Sequence, residues 1–317
     1  VSSNIPPLNT LRRRSGVSLK ITAAVCAAVV GTAAAIVPAQ ASVATKSAPA
    51  IVLTSASAVD AKAAAPLPSS IKKAGVLNDG VNLPNPPLEY QVNGKGPFTG
   101  FDIALAKALA AKLGLKIHYE NVAFTALLTS IDSGRVDMVL SALFDTAARE
   151  QKYNVLDYLN TGSQIITTTA NKSKAPTLVS LCGQTVETAV GTAFTQQLAT
   201  LSTTLCAGKS PLKVLNEGGS FADEVLQIKT GRAVAAICTT DNLAYEDVTD
   251  PGAYVPVGKP FDSQPYGIDI PKSDPGLEKA LQAALTDLIA DGTYAKIAAE
   301  FHEQSGKVTK AVLNSAA

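Results

Sequence analysis

The sequence contains no tryptophan, one methionine and two histidines in 317 residues, and aromatic residues make up only 5% of it. Any interior it forms is therefore mainly aliphatic. His118 and His302 are too few and too widely separated to build a metal site, and neither has a serine or cysteine partner in sequence for nucleophilic chemistry. Charge is sparse as well. Acidic and basic residues together reach 17%, with a formal net charge of +1, and no basic stripe of the kind that nucleic acid requires is present. AGKS at 207–210 ends like a phosphate loop, but Thr203 stands where that loop needs its first glycine. Asn171-Lys172-Ser173 fits a glycosylation sequon, a pattern short enough to arise by chance.

What is present begins with an address. LRRRSGVSLK is a positive segment, ITAAVCAAVVGTAAAIV is apolar, and Ala39-Gln40-Ala41 has the small-x-small form of a cleavage site. Residues 1–41 are thus expected to be a signal peptide and the mature protein to be exported, periplasmic or extracellular, and associated with the cell surface. The apolar run is alanine-rich and short for a membrane span. Arg13-Arg14 leaves the twin-arginine route open, and Cys26 sits too early, behind bulky Val25, for a lipid anchor. Four of the basic residues and no acid lie in this segment, so the remainder carries a net charge of −3. Residues 42–70 are rich in Ala, Ser and Pro without a sustained period, and are expected to form a disordered tether. The folded unit is expected from Ile71.

Three cysteines follow the signal peptide. In an oxidising compartment Cys182 and Cys206, which flank one strand-helix unit, are expected to bond. Cys238, inside the apolar run AVAAIC, is expected to be a buried thiol.

Strand, turn and helix alternate along the chain. GFDIALAKALAAKLG reads as a helix with Asp102 as N-cap and Gly114 as its stop. LKIHYENV and VDMVL read as strands, the second buried on both faces. After an irregular stretch, QKYNVLDYLNTGSQ, and a β-rich SQIITTTANK, the pattern restarts: TVETAV, the turn Gly191-Thr192, and AFTQQLATLSTTL. LKVLNEGG, a helix capped by Ser220 with Asp223, and AVAAIC complete the block. QPYGIDIPK precedes a helix from Pro275 to Asp291 capped by Asp274, then a shorter helix over YAKIAAEFH. This order predicts an α/β protein with two parallel-sheet lobes joined by a two-strand hinge. Residues 71–163 and 265–306 are assigned to the first lobe, 164–264 to the second, and 307–317 to a flexible tail. The cleft between lobes, at the carboxyl ends of the strands, is where such folds bind ligands.

Two features point into that cleft. Arg149 follows VDMVL and offers a planar fork matched to a carboxylate. Gly191-Thr192 lies where a strand turns into a helix, with backbone N–H groups and a hydroxyl suited to an anion. Asp241 ends the following strand and can pair with a cation. Together they complement an amino acid zwitterion.

PPLEYQVNGKGPFTGFDIALAKALAAKLG, AFTALLTSIDSGRVDMVLSALFDTAARE with its Thr-x-x-Arg corner, LCGQTVETAVGTAFTQ and QPYGIDIPKSDPGLEKALQAALTDLIADGTYAKIAAEF occur in this order. The set resembles the family 3 extracellular solute-binding proteins of polar amino acid ABC transporters, with the type II periplasmic-binding-protein fold. The resemblance covers roughly residues 71–302. It implies a binding protein, not an enzyme, without a cofactor or metal. Such a protein closes on a small amino acid and passes it to membrane permease subunits, and a monomer is expected. It implies that Arg149 and Thr192 hold the ligand carboxylate with Ser141, Thr146 and Gly191, and that Asp241 holds the ammonium. Leu88, Glu89, Tyr90, Phe124, Phe144 and Asp145 are expected at the side-chain pocket. The chain departs from the family at Leu88, where an aromatic is usual, and at Phe144, where a small hydroxyl residue is usual. Asp241 arrives about two residues late. A sensory binding module is one alternative. A cleft lyase or hydrolase on the same scaffold is another, for which Glu89 and Asp145 are the acid/base candidates.

Overall fold

The computed structural model describes residues 58–217 and 219–316, so the signal peptide and the start of the tether lie outside the described residues. The strands are β1 (Val76–Val81), β2 (Tyr90–Gln91), β3 (Phe98–Thr99), β4 (Lys116–Asn121) and β5 (Met138–Val139). They continue as β6 (Tyr153–Thr168), β7 (Thr185–Thr188), β8 (Lys213–Asn216), β9 (Ala235–Thr239) and β10 (Tyr254–Pro271). The helices are α1 (Ala61–Ala64), α2 (Ser69–Ala74), α3 (Phe101–Lys112), α4 (Leu127–Asp132) and α5 (Ala147–Glu150). They continue as α6 (Phe194–Leu205), α7 (Phe221–Lys229), α8 (Thr240–Thr249), α9 (Pro275–Ala290) and α10 (Thr293–Glu300).

Eight strands form one sheet in the order β4-β1-β5-β10-β6-β9-β7-β8. β4, β1 and β5 are mutually parallel, as are β9, β7 and β8. Between the trios, β6 and β10 pair antiparallel from Tyr153↔Pro271 to Thr168↔Tyr254, with register shifts from Val257 to Gly267. Two long strands thus run from one parallel trio into the other. Each trio has its own apolar core. Leu127, Ile131, Val139, Leu143 and Val155 pack in the first, and Ile166, Phe221, Val225, Ile228 and Cys238 in the second. Separate cores tied by a strand pair make the two-lobed α/β fold.

Local signals place the helices closely. Ser220 caps α7, accepting from Asp223 N–H at 3.3 Å, and Asp274 caps α9, accepting from Leu277 N–H at 2.9 Å. Cys182 and Cys206 are bonded, and Cys238 is a buried free thiol. Asp102 is not the cap of α3. Gly100 takes that place with φ +123°, where a Cβ would overlap the Leu88 carbonyl oxygen, so the close approach requires glycine. Asp102 is buried within the first turn, and its Oδ2 accepts from Ala142 N–H and the Tyr158 hydroxyl, both at 3.0 Å.

Three other segments differ from the sequence reading. QKYNVLDYLNTGSQ, read as irregular, lies largely within β6. Its alternation is hidden because both faces are buried, Asp157, Thr161, Ser163 and Gln164 included. The expected tether already contains α1, capped by Asp60, and the start of α2, and is anchored through buried Ala63 and Leu67. The expected flexible tail is packed against β6. Val312 O accepts from Asp157 N–H at 2.9 Å, and Asn314 N–H donates to Val155 O at 2.8 Å. The Asn314 amide oxygen takes Val155 N–H at 2.8 Å. Ser315 and Ala316 then donate their N–H groups to Asp145 and Glu150, at 2.9 and 2.7 Å. Backbone pairing of this kind depends little on side-chain pattern, which is why composition alone misses it. Among the described residues no helix is long and apolar enough to cross a membrane.

Candidate functional site

The corner after β5 is shaped by buried acids. Leu140 N–H donates to Asp79 at 2.9 Å, Ser141 Oγ donates to Glu89 Oε1 at 2.5 Å, and Ala142 N–H donates to Asp102 at 3.0 Å with φ +50°. Phe144 then stacks on Tyr266 of β10 at 5.0 Å between centroids. Thr146 Oγ1 caps α5 by accepting from Arg149 N–H at 3.3 Å. The Arg149 side chain folds back so that Nη1 donates to Phe144 O at 2.5 Å. Burial pulls the guanidinium below its ordinary pKa, opposed by the carboxylates of Asp269 and Asp145. Asp269 is pushed up to about 7 by burial, while Arg149 holds it down. The guanidinium is thus held at the cavity wall by a neutral carbonyl acceptor.

The opposite wall grows from the ends of β7 and β9. After β7, Ala189 N–H donates to Glu224 Oε1 of α7 at 3.1 Å, and Ala189 O accepts from the Thr192 hydroxyl at 2.8 Å. Gly191 has φ +82°, and a Cβ there would lie 3.2 Å from Thr125 of the first lobe. At the end of β9, Thr239 and Asn242 form a reciprocal cap. The Asn242 amide then crosses the cleft, donating to Asn85 Oδ1 at 3.0 Å and Pro86 O at 2.9 Å.

Between these walls lies a small cavity of about 60 Å³. Of the sequence-derived candidates, Arg149, Thr192, Glu89, Phe124 and Phe144 line it. The others are placed elsewhere. Ser141 is buried with its hydroxyl on Glu89, and Thr146 serves as the α5 cap beside a neighbouring groove. Gly191 abuts Thr125, and Leu88 is fully buried against Gly100. Tyr90 packs on Tyr245 across the cleft, 5.7 Å between centroids. Asp145 is turned to the tail, accepting from Ser315, and burial pushes it up to about 7. Asp241 is buried in the first turn of α8, where it accepts from the hydroxyls of Thr161 and, at 3.4 Å, Tyr266.

The cavity also contains residues the sequence reading passed over: Asn82, Asn85, Phe194, Ser220, Phe221, Glu224, Thr239, Asn242 and Tyr266. One carried a signal. In α7 the buried stripe Phe221, Val225, Ile228 also includes Glu224, and a carboxylate on an apolar stripe calls for a partner. Burial raises both Glu224 and Glu89 well above the usual carboxylate range; for Glu89 the neighbouring Asp102 and Asp79 add to it. Among the described residues no group of three or more His, Cys, Asp or Glu is arranged to hold a metal ion.

The description "bacterial extracellular solute-binding proteins, family 3" matches residues 77–304. The chain belongs to that family. It is 29% identical over 252 residues to the arginine-binding protein ArgT of Corynebacterium glutamicum, covering 78% of this chain and 81% of the relative. The ABC transporter glutamine-binding protein GlnH of Bacillus subtilis is 26% identical over 207 residues, 64% of this chain and 72% of that one. Among solved structures, an ancestral arginine-binding protein bound to glutamine superposes with a TM-score of 0.64 at 30% identity. That match covers 72% of this chain and 97% of the other. This family 3 protein therefore shares its fold with amino-acid-binding proteins of ABC transporters.

Proposed function

We propose that this family 3 protein is the extracytoplasmic binding component of an ABC importer and closes its lobes on a small polar amino acid. One observation carries the reading: Arg149, fixed in the first lobe, and Thr192, at the turn of the second, line the same cavity. A carboxylate between them bridges the lobes, so closure gains free energy only when that group is present. Differential affinity of this kind distinguishes loaded from unloaded receptor for membrane permease subunits. Arginine and glutamine, the ligands named for the two relatives above, define the first compounds to test.

The experiment is a thermal-shift and calorimetric screen of the mature chain as a monomer against the twenty amino acids. A true ligand raises the melting temperature by mass action, and Arg149→Ala removes most of that rise. Absence of stabilisation by every amino acid, or an undiminished rise in the Arg149→Ala protein, contradicts the reading.

A further inference from the structure

The residue expected to meet the ligand's cation, Asp241, is already engaged. Its carboxylate accepts from Thr161 and Tyr266 within the strand pair and does not line the cavity. Two other acids do. Glu89 is 1% exposed; its Oε1 takes the Ser141 hydroxyl, and its Oε2 is buried without a hydrogen-bond partner. Glu224, 3% exposed, enters the same cavity from the second lobe.

The position of Glu224 matters more than its charge. Its Oε1 accepts from Ala189 N–H, and the carbonyl of the same Ala189 accepts from the Thr192 hydroxyl. One residue therefore links Glu224 to the turn assigned to the carboxylate. In an α-amino acid a single carbon separates carboxylate from ammonium, so the two receptors must be close neighbours. A buried ammonium also needs an ionised partner with further acceptors around it, and the arriving positive charge draws Glu224, raised by burial, back down so that its proton passes to solvent. Ser220 and Thr239, both on the cavity wall, supply hydroxyl oxygens.

We propose that Glu224 receives the positively charged nitrogen of the ligand, the role expected of Asp241, with the free oxygen of Glu89 as a second acceptor from the opposite wall. The cleft then takes α-amino acids and rejects the same molecules without their amino group. This rests on the reading of the cleft as an amino acid site and adds to it the group that recognises nitrogen.

The test pairs each amino acid that stabilises the wild-type protein with its deaminated counterpart. For arginine that is 5-guanidinopentanoic acid, for glutamine glutaramic acid, and for histidine imidazolepropionic acid. Calorimetry is expected to show the deaminated acid binding on the order of 100-fold more weakly. Glu224→Gln weakens the amino acid by a similar factor but changes the deaminated acid by less than about 3-fold, since that compound has no α-ammonium to lose. The unliganded Glu224→Gln protein melts no lower than wild type, because a buried acid has been replaced by a neutral isostere. Equal losses for both compounds, or no loss for the amino acid, overturn the assignment. If Arg149→Ala abolishes binding while Glu224→Gln does not, Glu224 falls and the amino acid reading stands. If no amino acid binds the wild-type protein, both fall.

Discussion

The two walls of the cleft are held in place by different means. In the first lobe, buried acids take the hydrogen bonds of the corner: Asp79 accepts from Leu140, Glu89 from Ser141, and Asp102 from Ala142. In the second lobe a single buried acid, Glu224, takes the corner bond from Ala189, and the remaining bonds sit at helix starts, on the caps of Ser220 and Thr239 and on the Thr192 hydroxyl bond to Ala189. A corner held by side chains from several elements is fixed before a ligand arrives. A wall of helix starts presents N–H groups and hydroxyls that a ligand can share. The difference gives the first wall the task of fixing charge and the second the task of completing the grip.

The largest expected effect comes from removing the fixed charge. Arg149→Ala is expected to weaken binding of a cognate amino acid by about 2–5 kcal/mol in calorimetry. Arg149→Lys recovers only part of that, because a point charge lacks the planar fork. Loss of less than about 1 kcal/mol would place the carboxylate elsewhere.

Next is the pH response of the acids behind that wall. Burial pushes Asp102 and Asp269 up to about 7, with Asp102 held down by Tyr158 and Ala142 and Asp269 by Arg149. A carboxyl group whose pKa is raised on folding binds its proton more tightly in the native state. Its contribution is therefore full below the unfolded pKa near 4 and is lost as pH rises toward 7. Unfolding free energy should fall between pH 4 and 7 by about 3 kcal/mol more in wild type than in Asp102→Asn. Denaturant titrations showing the same slope for both proteins would remove Asp102 from the account.

A smaller effect is expected where the walls touch. Asn242→Ala removes the amide that reaches Asn85 and Pro86. It should lower ligand affinity by about 1 kcal/mol and increase the radius of gyration seen by small-angle scattering. Unchanged affinity and scattering would mean that this contact follows closure and does not support it.

The same contrast explains what the sequence reveals. That Arg149 and Thr192 line one cavity was legible because each sits in a short pattern whose geometry is local: a capped corner after a buried strand, and a glycine turn before a helix. The caps Ser220 and Asp274 and the Cys182–Cys206 pair follow the same logic. Asp102 misled because a carboxylate next to a helix start resembles a cap. Its role as acceptor for Ala142 and Tyr158 depends on segments 40 and 56 residues away. Asp241 misled for a similar reason, since Thr161, 80 residues earlier in the chain, occupies it. Glu224 was visible only as an exception on an apolar stripe. The docking of residues 307–316 runs through backbone pairing with β6 and leaves little trace in composition.

The most direct test of the shared carboxylate is a calorimetric double-mutant cycle with Arg149→Lys and Thr192→Val. If both residues grip one group, the double variant should lose less affinity than the two single losses added together, with a coupling of about 1 kcal/mol. Additive losses, within about 0.3 kcal/mol, would show that the two walls act on different parts of the ligand and would contradict the account.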